Sequence, residues 1–268
     1  MKGKVLDVCV LVLLLVVAAA YANLTKGLFI GRSVFFGFVF AVLPVIYLGL
    51  RQKKNWKKII VATLIFGGLF GFIFEFVAEF NLAYSVISVV SPFKLFGVLP
   101  IDNIIGHMLM TMFTIVFYEH FIDREINKRI SKNFLLALLP ALCTITYIIL
   151  AFYFHPSILK LGHPYFFMGL AAIVPTILLG IFQPKYIKNM AQTAIFFFCS
   201  YFMIEIFAVK LNYWIYPGDN YIGWVTVFNT SFPFEELFFW MIFYAATLVA
   251  YYEIFIDINK KEGKKLNK

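Results

Sequence analysis

Two adjacent carboxylates near the end of the chain, Glu235 and Glu236, have the clearest potential for chemistry in this sequence. They follow Pro233, which the pattern predicts as the first residue of a long apolar and aromatic helix, a position where proline costs little. An apolar environment favours a neutral carboxyl, a helix N-terminus favours an ionised one, and neighbouring acids tend to ionise at different pH. Such a pair is suited to hold one proton for a weak base, for example an alkene. An interfacial helix cap is the alternative interpretation.

The composition predicts a polytopic membrane protein with most of its residues in spanning helices. Hydrophobic residues make up 62% of the sequence and charged residues 14%, whereas soluble domains carry about 25% charged residues. The net charge of +9 comes from short basic runs between apolar segments, which is typical of cytoplasmic loops and excludes a nucleic-acid partner. Cys9, Cys143 and Cys199 fall in apolar runs without metal-ligand spacing and are expected to pack in the core.

The apolar segments predict an all-α integral membrane fold with eight transmembrane helices in the cell membrane. The expected helices cover residues 5–22, 27–50, 59–80, 100–121, 134–154, 165–182, 191–210 and 233–255. A secretory signal is the alternative for the first, although no convincing cleavage region follows it. With both termini cytoplasmic, all but five of the 23 lysines and arginines lie on that side; the exceptions are Lys26, Arg32, Lys94, Lys160 and Lys210.

The two halves of the chain resemble each other, which predicts a parallel tandem repeat of two four-helix units. The matching pairs are Pro44 to Leu50 with Pro175 to Ile181, Phe72 to Glu75 with Phe202 to Glu205, Leu99 to Asn103 with Phe232 to Glu236, and Tyr118 to Asp123 with Tyr252 to Asp257. Their offsets stay between 130 and 134 residues. We therefore expect repeats at 1–130 and 131–268, with the functional site between them.

Six carboxyls are expected to lie at similar depth near the outer face, and four others at the cytoplasmic rim. The six are Glu75, Glu79, Asp102, Glu205, Glu235 and Glu236. Capping of helix ends, or pairing with Lys94 and Lys210, is the structural alternative for them. The four at the rim are Glu119, Asp123, Glu253 and Asp257, and beside basic loops they are expected to form interfacial pairs.

The remaining motifs exclude most chemistry that needs a cofactor or metal. No Gly-x-Gly-x-x-Gly follows a strand-like segment, no paired Asp-x-x-x-Asp motif is present, and the four histidines are scattered. We therefore expect neither a metal nor a cofactor. Proton chemistry remains, with Phe238, Phe239 and Trp240 either stabilising a cation through their rings or facing lipid. His107 lies within a membrane span, where a hydrogen bond to a neighbouring helix is the simpler role.

At the acidic pair the sequence resembles the integral-membrane lycopene cyclase domain family, whose members occur as two small subunits or as one fused chain. The family's Pro-x-Glu-Glu motif, at the start of a Phe-rich helix, is similar to Pro233-Phe-Glu235-Glu236-Leu-Phe-Phe. Tyr213-Trp214, Gly223 and Tyr251-Tyr252-Glu253 extend the resemblance, which covers nearly the whole chain through the repeat. It implies acid-initiated cyclisation of the ψ-ends of lycopene, or a related linear carotenoid, to β-ionone rings without net redox change.

The resemblance also implies roles for individual residues. Glu235 would donate the proton, Glu236 would set its protonation, and Glu205, Glu75 and Asp102 would stabilise the cation or accept the final proton. Pro233, Phe238, Phe239, Trp240, Asn103 and His107 would form the substrate-binding surface. The first-half motif departs from the pattern, since Pro100-Ile-Asp102-Asn103 has an amide in place of the second acid. That half is therefore expected to bind rather than to catalyse, or to signal another carotenoid or reaction.

The expected partners are a lipophilic carotenoid and membrane lipid, with homo-oligomers or complexes with carotenoid-pathway enzymes left open. A non-catalytic membrane carrier or subunit that binds polyene or isoprenoid lipid is the rival interpretation. A transporter typically has helices broken near the membrane centre, and Pro44 and Pro175 lie deep enough to keep that interpretation open.

Overall fold

A computed structural model describes residues 2–24, 37–51, 55–87, 89–123 and 129–257 and is mostly helical. Within these ranges seven helices are long and apolar enough to cross a membrane, and a shorter apolar helix accompanies them. In chain order the helices are α1 (Lys2–Leu24), α2 (Phe38–Arg51), α3 (Trp56–Phe80), α4 (Ile101–Ile122), α5 (Phe134–Phe154), α6 (Pro164–Phe182), α7 (Ile187–Lys210) and α8 (Glu236–Ile256). The prediction of a helical chain rich in membrane-length apolar segments is therefore confirmed.

Several sequence predictions fall outside the described residues. They are the start of the second helix at residue 27, Lys26 and Arg32, residues 52–54 of the basic loop 51–58, residues 124–128 of the loop 122–133, and the basic tail from residue 259. Within the described ranges the predicted helix limits differ from the observed ones by a few residues. Both Pro44 and Pro175 lie inside continuous helices, α2 and α6.

Three small antiparallel sheets within the described ranges interrupt a fold that the sequence predicted to be all-α. The strands are β1 (Ser85–Val86), β2 (Lys94–Leu95), β3 (Leu99–Pro100), β4 (Trp214–Ile215), β5 (Trp224–Val227) and β6 (Thr230–Pro233). Strands β2–β3 and β5–β6 are hairpins that lead into α4 and α8, while β1 pairs with β4 and joins the two halves of the chain. The connections before α4 and α8 therefore form compact covers at one end of the bundle.

Pro233 ends a strand and does not begin the last helix, contrary to the sequence prediction. It pairs with Trp224 in the β5–β6 hairpin, and helical backbone starts at Phe234. Pro100 occupies the same place at the end of β3, before α4. A proline has no N–H to contribute to a ladder, so a strand terminus accommodates it as readily as a helix start does.

The opposite end of the bundle gathers the starts of α1 and α3 with the ends of α4 and α8. The Lys4 ammonium donates to the His120 carbonyl (2.7 Å), the Asn55 amide to Glu119 (2.6 Å), and the Ser131 N–H to the Ile256 carbonyl (2.9 Å). Between the two ends, aromatic pairs such as Phe113 with Phe197 fill the core. Contrary to prediction, Cys9, Cys143 and Cys199 are exposed on the outer surface of the bundle.

Candidate functional site

A cavity of about 550 Å³ lies at the hairpin end of the bundle and is lined by acids from both halves of the chain. Its polar walls come from α3 and α4 in the first half, from α7 and α8 in the second half, and from the connections between them. The residues with chemical potential that line it are Glu75, Asp102, Asn103, His107, Glu205 and Glu236. Six tyrosines share the wall: Tyr84, Tyr165, Tyr201, Tyr213, Tyr216 and Tyr244. The structure thus brings together four of the five predicted catalytic residues.

Glu205 and Glu236 form the acidic part of the wall that comes from the second half. Tyr216 donates a hydrogen bond to Glu205 (2.7 Å), and the Trp214 indole N–H lies 3.2 Å from its other oxygen. The side chains of Tyr165 and Tyr216 also lie near Glu236, and the two carboxyls lie close enough to interact electrostatically. Two neighbouring buried acids can hold a proton between them.

Glu75 and His107 form the corresponding part of the wall in the first half. The Nδ1 atom of His107 lies 3.2 Å from Glu75 Oε1, so the helical histidine bonds a neighbouring helix, as the simpler prediction had it. Gly71 leaves room for the imidazole, since a Cβ added there would lie 3.1 Å from the ring. The Asn103 amide donates to Glu75 Oε2 (3.3 Å), to Glu79 (3.2 Å) and to the Tyr84 hydroxyl (3.0 Å). This part of the wall is an acid–imidazole pair held by an amide.

Glu235, the predicted proton donor, is buried outside the cavity wall. It is fully inaccessible, and its Oε1 accepts a hydrogen bond from the Ile222 N–H (2.7 Å) in the connection before the hairpin. Asp102 is its equivalent in the first half, since its Oδ2 accepts from the Val90 and Ser91 N–H groups, although Asp102 also lines the cavity. Glu79 likewise accepts a hydrogen bond from the Val86 N–H (3.1 Å). These acids secure the cover of the site.

The geometry of α8 explains why the second acid of the pair, and not the first, faces the cavity. From Glu236 to Phe243 the helix has π-type hydrogen bonding, a form that recurs at functional sites. Glu236, Trp240 and Tyr244 follow one another at intervals of four residues, and all three line the cavity. Glu235 precedes Glu236 by one residue, so it lies on a different face of the helix and does not line the cavity.

Aromatic rings form much of the remaining wall. Trp240 contacts Phe74, Tyr165 and Tyr244 at ring-centroid distances of 5.7, 6.1 and 5.8 Å, and Tyr84 stacks on Tyr165 at 6.1 Å. The other predicted substrate-binding residues of this helix lie elsewhere. Phe239 packs on Gly169, Phe238 stacks on Phe234, and Pro233 belongs to the hairpin. Of the predicted binding surface, Trp240, Asn103 and His107 line the cavity.

Two tyrosines of the cover, outside the helices, remain protonated over the physiological range. Burial, followed by the negative charges of Glu205 and Glu236, raises the pKa of Tyr216 well above its usual value. Burial also raises the pKa of Tyr221 to about 12. Tyr221 donates to the Ala83 carbonyl (2.8 Å) and accepts from the Gly218 N–H (3.2 Å), so it ties the covers of the two halves together.

The lining of the cavity reaches the outer surface of the bundle at α2 and α4. Phe38 on α2 and Ile105 on α4 both line the cavity and are 44% and 49% exposed. Gly37 and Gly106 stand beside them, and a Cβ added at either meets no atom of the described chain within 4 Å. These exposed lining residues are apolar, which suits contact with a lipophilic ligand.

The four acids at the opposite end form a separate cluster, away from the cavity. Tyr118 donates to Glu253, Tyr252 donates to Glu119, and the buried Lys58 pairs with Asp257. The carboxylates of Asp123, Glu253 and Asp257 lie within 4.8 Å of one another, an arrangement that a metal ion could use. Lys58 and the tyrosine donors already occupy this cluster, and the predicted interfacial pairing thus takes the form of tyrosine–carboxylate bonds.

Comparison of the chain with protein-family models, with curated proteins and with solved structures finds no match. The interpretation of the site therefore depends on its own geometry. Sequence reasoning missed its tyrosines, above all Tyr216, which donates to Glu205, and Tyr165, which lies near Glu236. Tyr216 lies in the aromatic connection after α7, two residues beyond Trp214, so the density of aromatic residues there was the available signal.

Proposed function

We propose that this protein is a membrane carotenoid cyclase that closes the ψ-ends of lycopene, or of a related linear carotenoid, to β-ionone rings. It would act as an intramolecular lyase or isomerase, with no net redox change and no cofactor in the reaction. The observation that carries the proposal is the meeting of Glu236 and Glu205 with the Glu75–His107 pair in one aromatic cavity, whose lining includes the exposed apolar side chains of Phe38 and Ile105. The resemblance at Pro233-Phe-Glu-Glu points to the same chemistry.

Glu236 is the proton donor in this proposal, in place of Glu235. The acid must reach the substrate, and Glu236 lines the cavity whereas Glu235 is engaged with the Ile222 N–H. The Glu236 proton is transferred to the CH carbon of the terminal alkene, which leaves a tertiary carbocation on the carbon that carries the two methyl groups. Glu205, with its donors Tyr216 and Trp214, holds the remaining negative charge of the acid pair.

Ring closure and proton loss complete the reaction. The π electrons of a nearby alkene in the same chain attack the cation, form the new carbon–carbon bond and move the positive charge into the ring. Glu75, in contact with His107, then takes a proton from the adjacent ring carbon, and that C–H pair becomes the ring alkene. The faces of Trp240, Tyr165 and Tyr244 stabilise the cation between these steps.

The cavity volume favours one end group at a time. It falls within the range of about 300–1,000 Å³ that holds a drug-sized ligand, while an extended carotenoid is far longer. The rest of the polyene would pass between Phe38 and Ile105 into the bilayer. Two rings would therefore require two separate binding events.

The tandem repeat belongs to the same proposal, with the halves at 1–130 and 131–268. Three correspondences support it: a hairpin ending in proline precedes both α4 and α8, Asp102 and Glu235 secure the two covers alike, and the tyrosine–glutamate bonds at the far end are exchanged between halves. A site between two parallel units is the common arrangement in membrane proteins with such repeats.

We further propose that the termini are cytoplasmic and that the hairpins face outward. The excess of lysine and arginine in loops at the Lys58 end supports this orientation. Carotenoid and membrane lipid would be the partners, and homo-oligomers or pathway enzymes remain candidates for association.

The test is to express Glu236→Gln and Glu235→Gln at equal levels in a host that accumulates lycopene and to measure cyclic products. Glu236→Gln should lower conversion about a hundredfold or more, as the loss of a general acid does. Glu235→Gln should retain much more activity when the protein is folded, because an amide oxygen still accepts from Ile222. The reverse order would return the donor role to Glu235. Absence of cyclic product from the wild type would favour the non-catalytic polyene carrier.

A further inference from the structure

Glu205 has hydrogen-bond donors at both of its carboxyl oxygens. Tyr216 donates to Oε1 (2.7 Å), and the Trp214 indole N–H lies 3.3 Å from Oε1 and 3.2 Å from Oε2. Glu205 is only 3% exposed, so these donors replace water that would otherwise solvate its charge. Because hydrogen bonds to a charged group are stronger than those between neutral groups, the two donors favour the ionised form of Glu205.

Trp214 and Tyr216 differ in which charge distributions they allow. A phenol oxygen donates to a carboxylate or accepts from a protonated carboxyl, whereas an indole nitrogen only donates. Tyr216, which also lies near Glu236, therefore suits a proton on either acid of the pair. Trp214 favours only one distribution, because its N–H bonds an ionised Glu205 more strongly than a neutral one.

Glu236 lacks the corresponding bond from the indole on its own helix. The Trp240 indole nitrogen has no hydrogen-bond partner among the described residues, and Tyr165, which lies near Glu236, is again a phenol that accepts as well as donates. Since the two carboxyls interact electrostatically, ionisation of one disfavours ionisation of the other. The contact of Trp214 with Glu205 therefore leaves the proton of the pair on Glu236.

The first half of the chain holds Trp214 in place. Trp214 pairs with Val86 in the β1–β4 sheet, and beside this pair the Ile87 N–H donates to the Tyr213 carbonyl (2.8 Å). The Val86 N–H in turn donates to Glu79 on α3 (3.1 Å). A carboxyl of the first half is thus connected, through the backbone of this sheet, to the donor that contacts the acid pair of the second half.

We propose that Trp214 is a positioning residue that keeps Glu205 ionised and leaves the proton of the pair on Glu236, and that Glu79 supports this role by holding β1 against β4. The inference deepens the proposed function, and its meaning for catalysis rests on that function, because Glu236 is the proton donor there. The distribution of charge describes the protein before substrate binds. It can therefore be measured without cyclisation.

The test measures the infrared C=O stretch of protonated carboxyls in the full-length protein in lipid nanodiscs at neutral pH. Difference spectra between variants cancel the other acids of the chain. Glu236→Gln should remove a protonated-carboxyl band, whereas Glu205→Gln should keep it. Adding Trp214→Phe to Glu236→Gln should lower the ratio of ionised to protonated Glu205 about tenfold or more, as expected for the loss of a hydrogen bond to a charged group.

Trp224→Phe in the same Glu236→Gln protein is the matched control, since Trp224 is 53% exposed on the β5–β6 hairpin and should leave the ratio unchanged. Loss of the band in Glu205→Gln instead of Glu236→Gln would overturn the inference, because the proton would then lie on Glu205. An unchanged ratio after Trp214→Phe would overturn it as well.

Glu79→Ala, again combined with Glu236→Gln, tests the positioning without removing a donor to Glu205, and it serves as the test if Trp214→Phe does not fold. It should also lower the ratio, whereas Glu79→Gln should not, because an amide oxygen still accepts from the Val86 N–H. Equal ratios in Glu79→Ala and Glu79→Gln would overturn the positioning through the sheet. A wild type with the expected bands that does not cyclise lycopene would reject the proposed function and leave the charge assignment in place.

Discussion

The Tyr118 hydroxyl donates a hydrogen bond to Glu253 at 2.5 Å, and this bond joins the two halves of the chain at the end of the bundle far from the cavity. Its counterpart runs the other way, from Tyr252 to Glu119. All four side chains are buried. The two tyrosines are 134 residues apart, and so are the two glutamates. The tyrosine of each half therefore donates to the glutamate of the other half.

Removing either tyrosine hydroxyl should destabilise the protein without altering the cavity. Tyr118→Phe and Tyr252→Phe each leave a buried carboxyl without its phenol donor, and we expect a loss of about 1–3 kcal/mol in the free energy of unfolding for each. Unfolding in mixed micelles measures this loss. Tyr147→Phe, at a position 54% exposed, is the control. Unchanged stability in both variants would show that these bonds do not hold the halves together.

Tyr221 should make the stability of the covers depend on alkaline pH. Its pKa rises from the usual 10 to about 12 on folding, so the folded state retains the proton longer than the unfolded state. The stabilisation is complete below about pH 10 and is lost as the pH rises through about 12. The protection of the amides of residues 82–86 and 218–223 against hydrogen exchange, relative to the base-catalysed intrinsic rate, should fall over this window in the wild type.

The matched variant for this prediction is Tyr221→Phe, which keeps the ring and removes the titrating hydroxyl. In this variant the backbone amides of the covers should exchange faster than in the wild type already at about pH 8, because the hydrogen bond to the Ala83 carbonyl is lost. The variant should also lack the extra acceleration between about pH 10 and 12. If the wild type and Tyr221→Phe showed the same dependence of exchange on pH, the assignment of this effect to Tyr221 would be wrong.

Filling the mouth of the cavity should block polyene binding while preserving the fold. Gly106 lies on α4 beside the opening, and an added Cβ meets open space there. Gly106→Leu also replaces a poor helix former with a good one, so we expect equal or higher stability and at least a roughly tenfold weaker polyene affinity. Gly180→Leu serves as the matched control, because Gly180 is on α6 and does not line the cavity. Retained polyene binding in Gly106→Leu would mean that the ligand uses another route.

The orientation of the hairpins can be tested with single cysteines in a background without Cys9, Cys143 and Cys199. A cysteine at Asn220 should react with a membrane-impermeant maleimide in intact cells, since the cover is expected to face outward. A cysteine at Lys268 should react only after permeabilisation, because the basic tail is expected to be cytoplasmic. Labelling of both positions from the same side would contradict the parallel repeat.

Hydrophobicity was sufficient to predict seven apolar helices of membrane length within the described residues, out of eight expected, because spanning a bilayer requires a long apolar run that few other structures share. The helix Phe134–Phe154 was predicted with its observed limits. The short strands were not predictable, since two to four residues carry too little periodicity and their pairing depends on distant partners such as Ser85 and Ile215.

The acids of the site were predictable as a set, but their roles were not. Intramembrane carboxyls are costly and therefore conspicuous, so Glu75, Glu205 and Glu236 stood out from the sequence. Which of two adjacent acids faces the cavity depends on the helical register after Pro233, which places Glu236 in line with Trp240 and Tyr244. The tyrosines were hidden among the 15 of the chain.

Entry of polyene between Phe38 and Ile105, as proposed above, changes how ligand concentration is defined for this protein. A ligand that arrives through the bilayer is counted per lipid molecule and not per volume of buffer. Saturation should then follow the mole fraction of polyene in the membrane. Adding empty lipid would lower occupancy at constant total polyene, whereas diluting the same vesicles with buffer would leave occupancy unchanged.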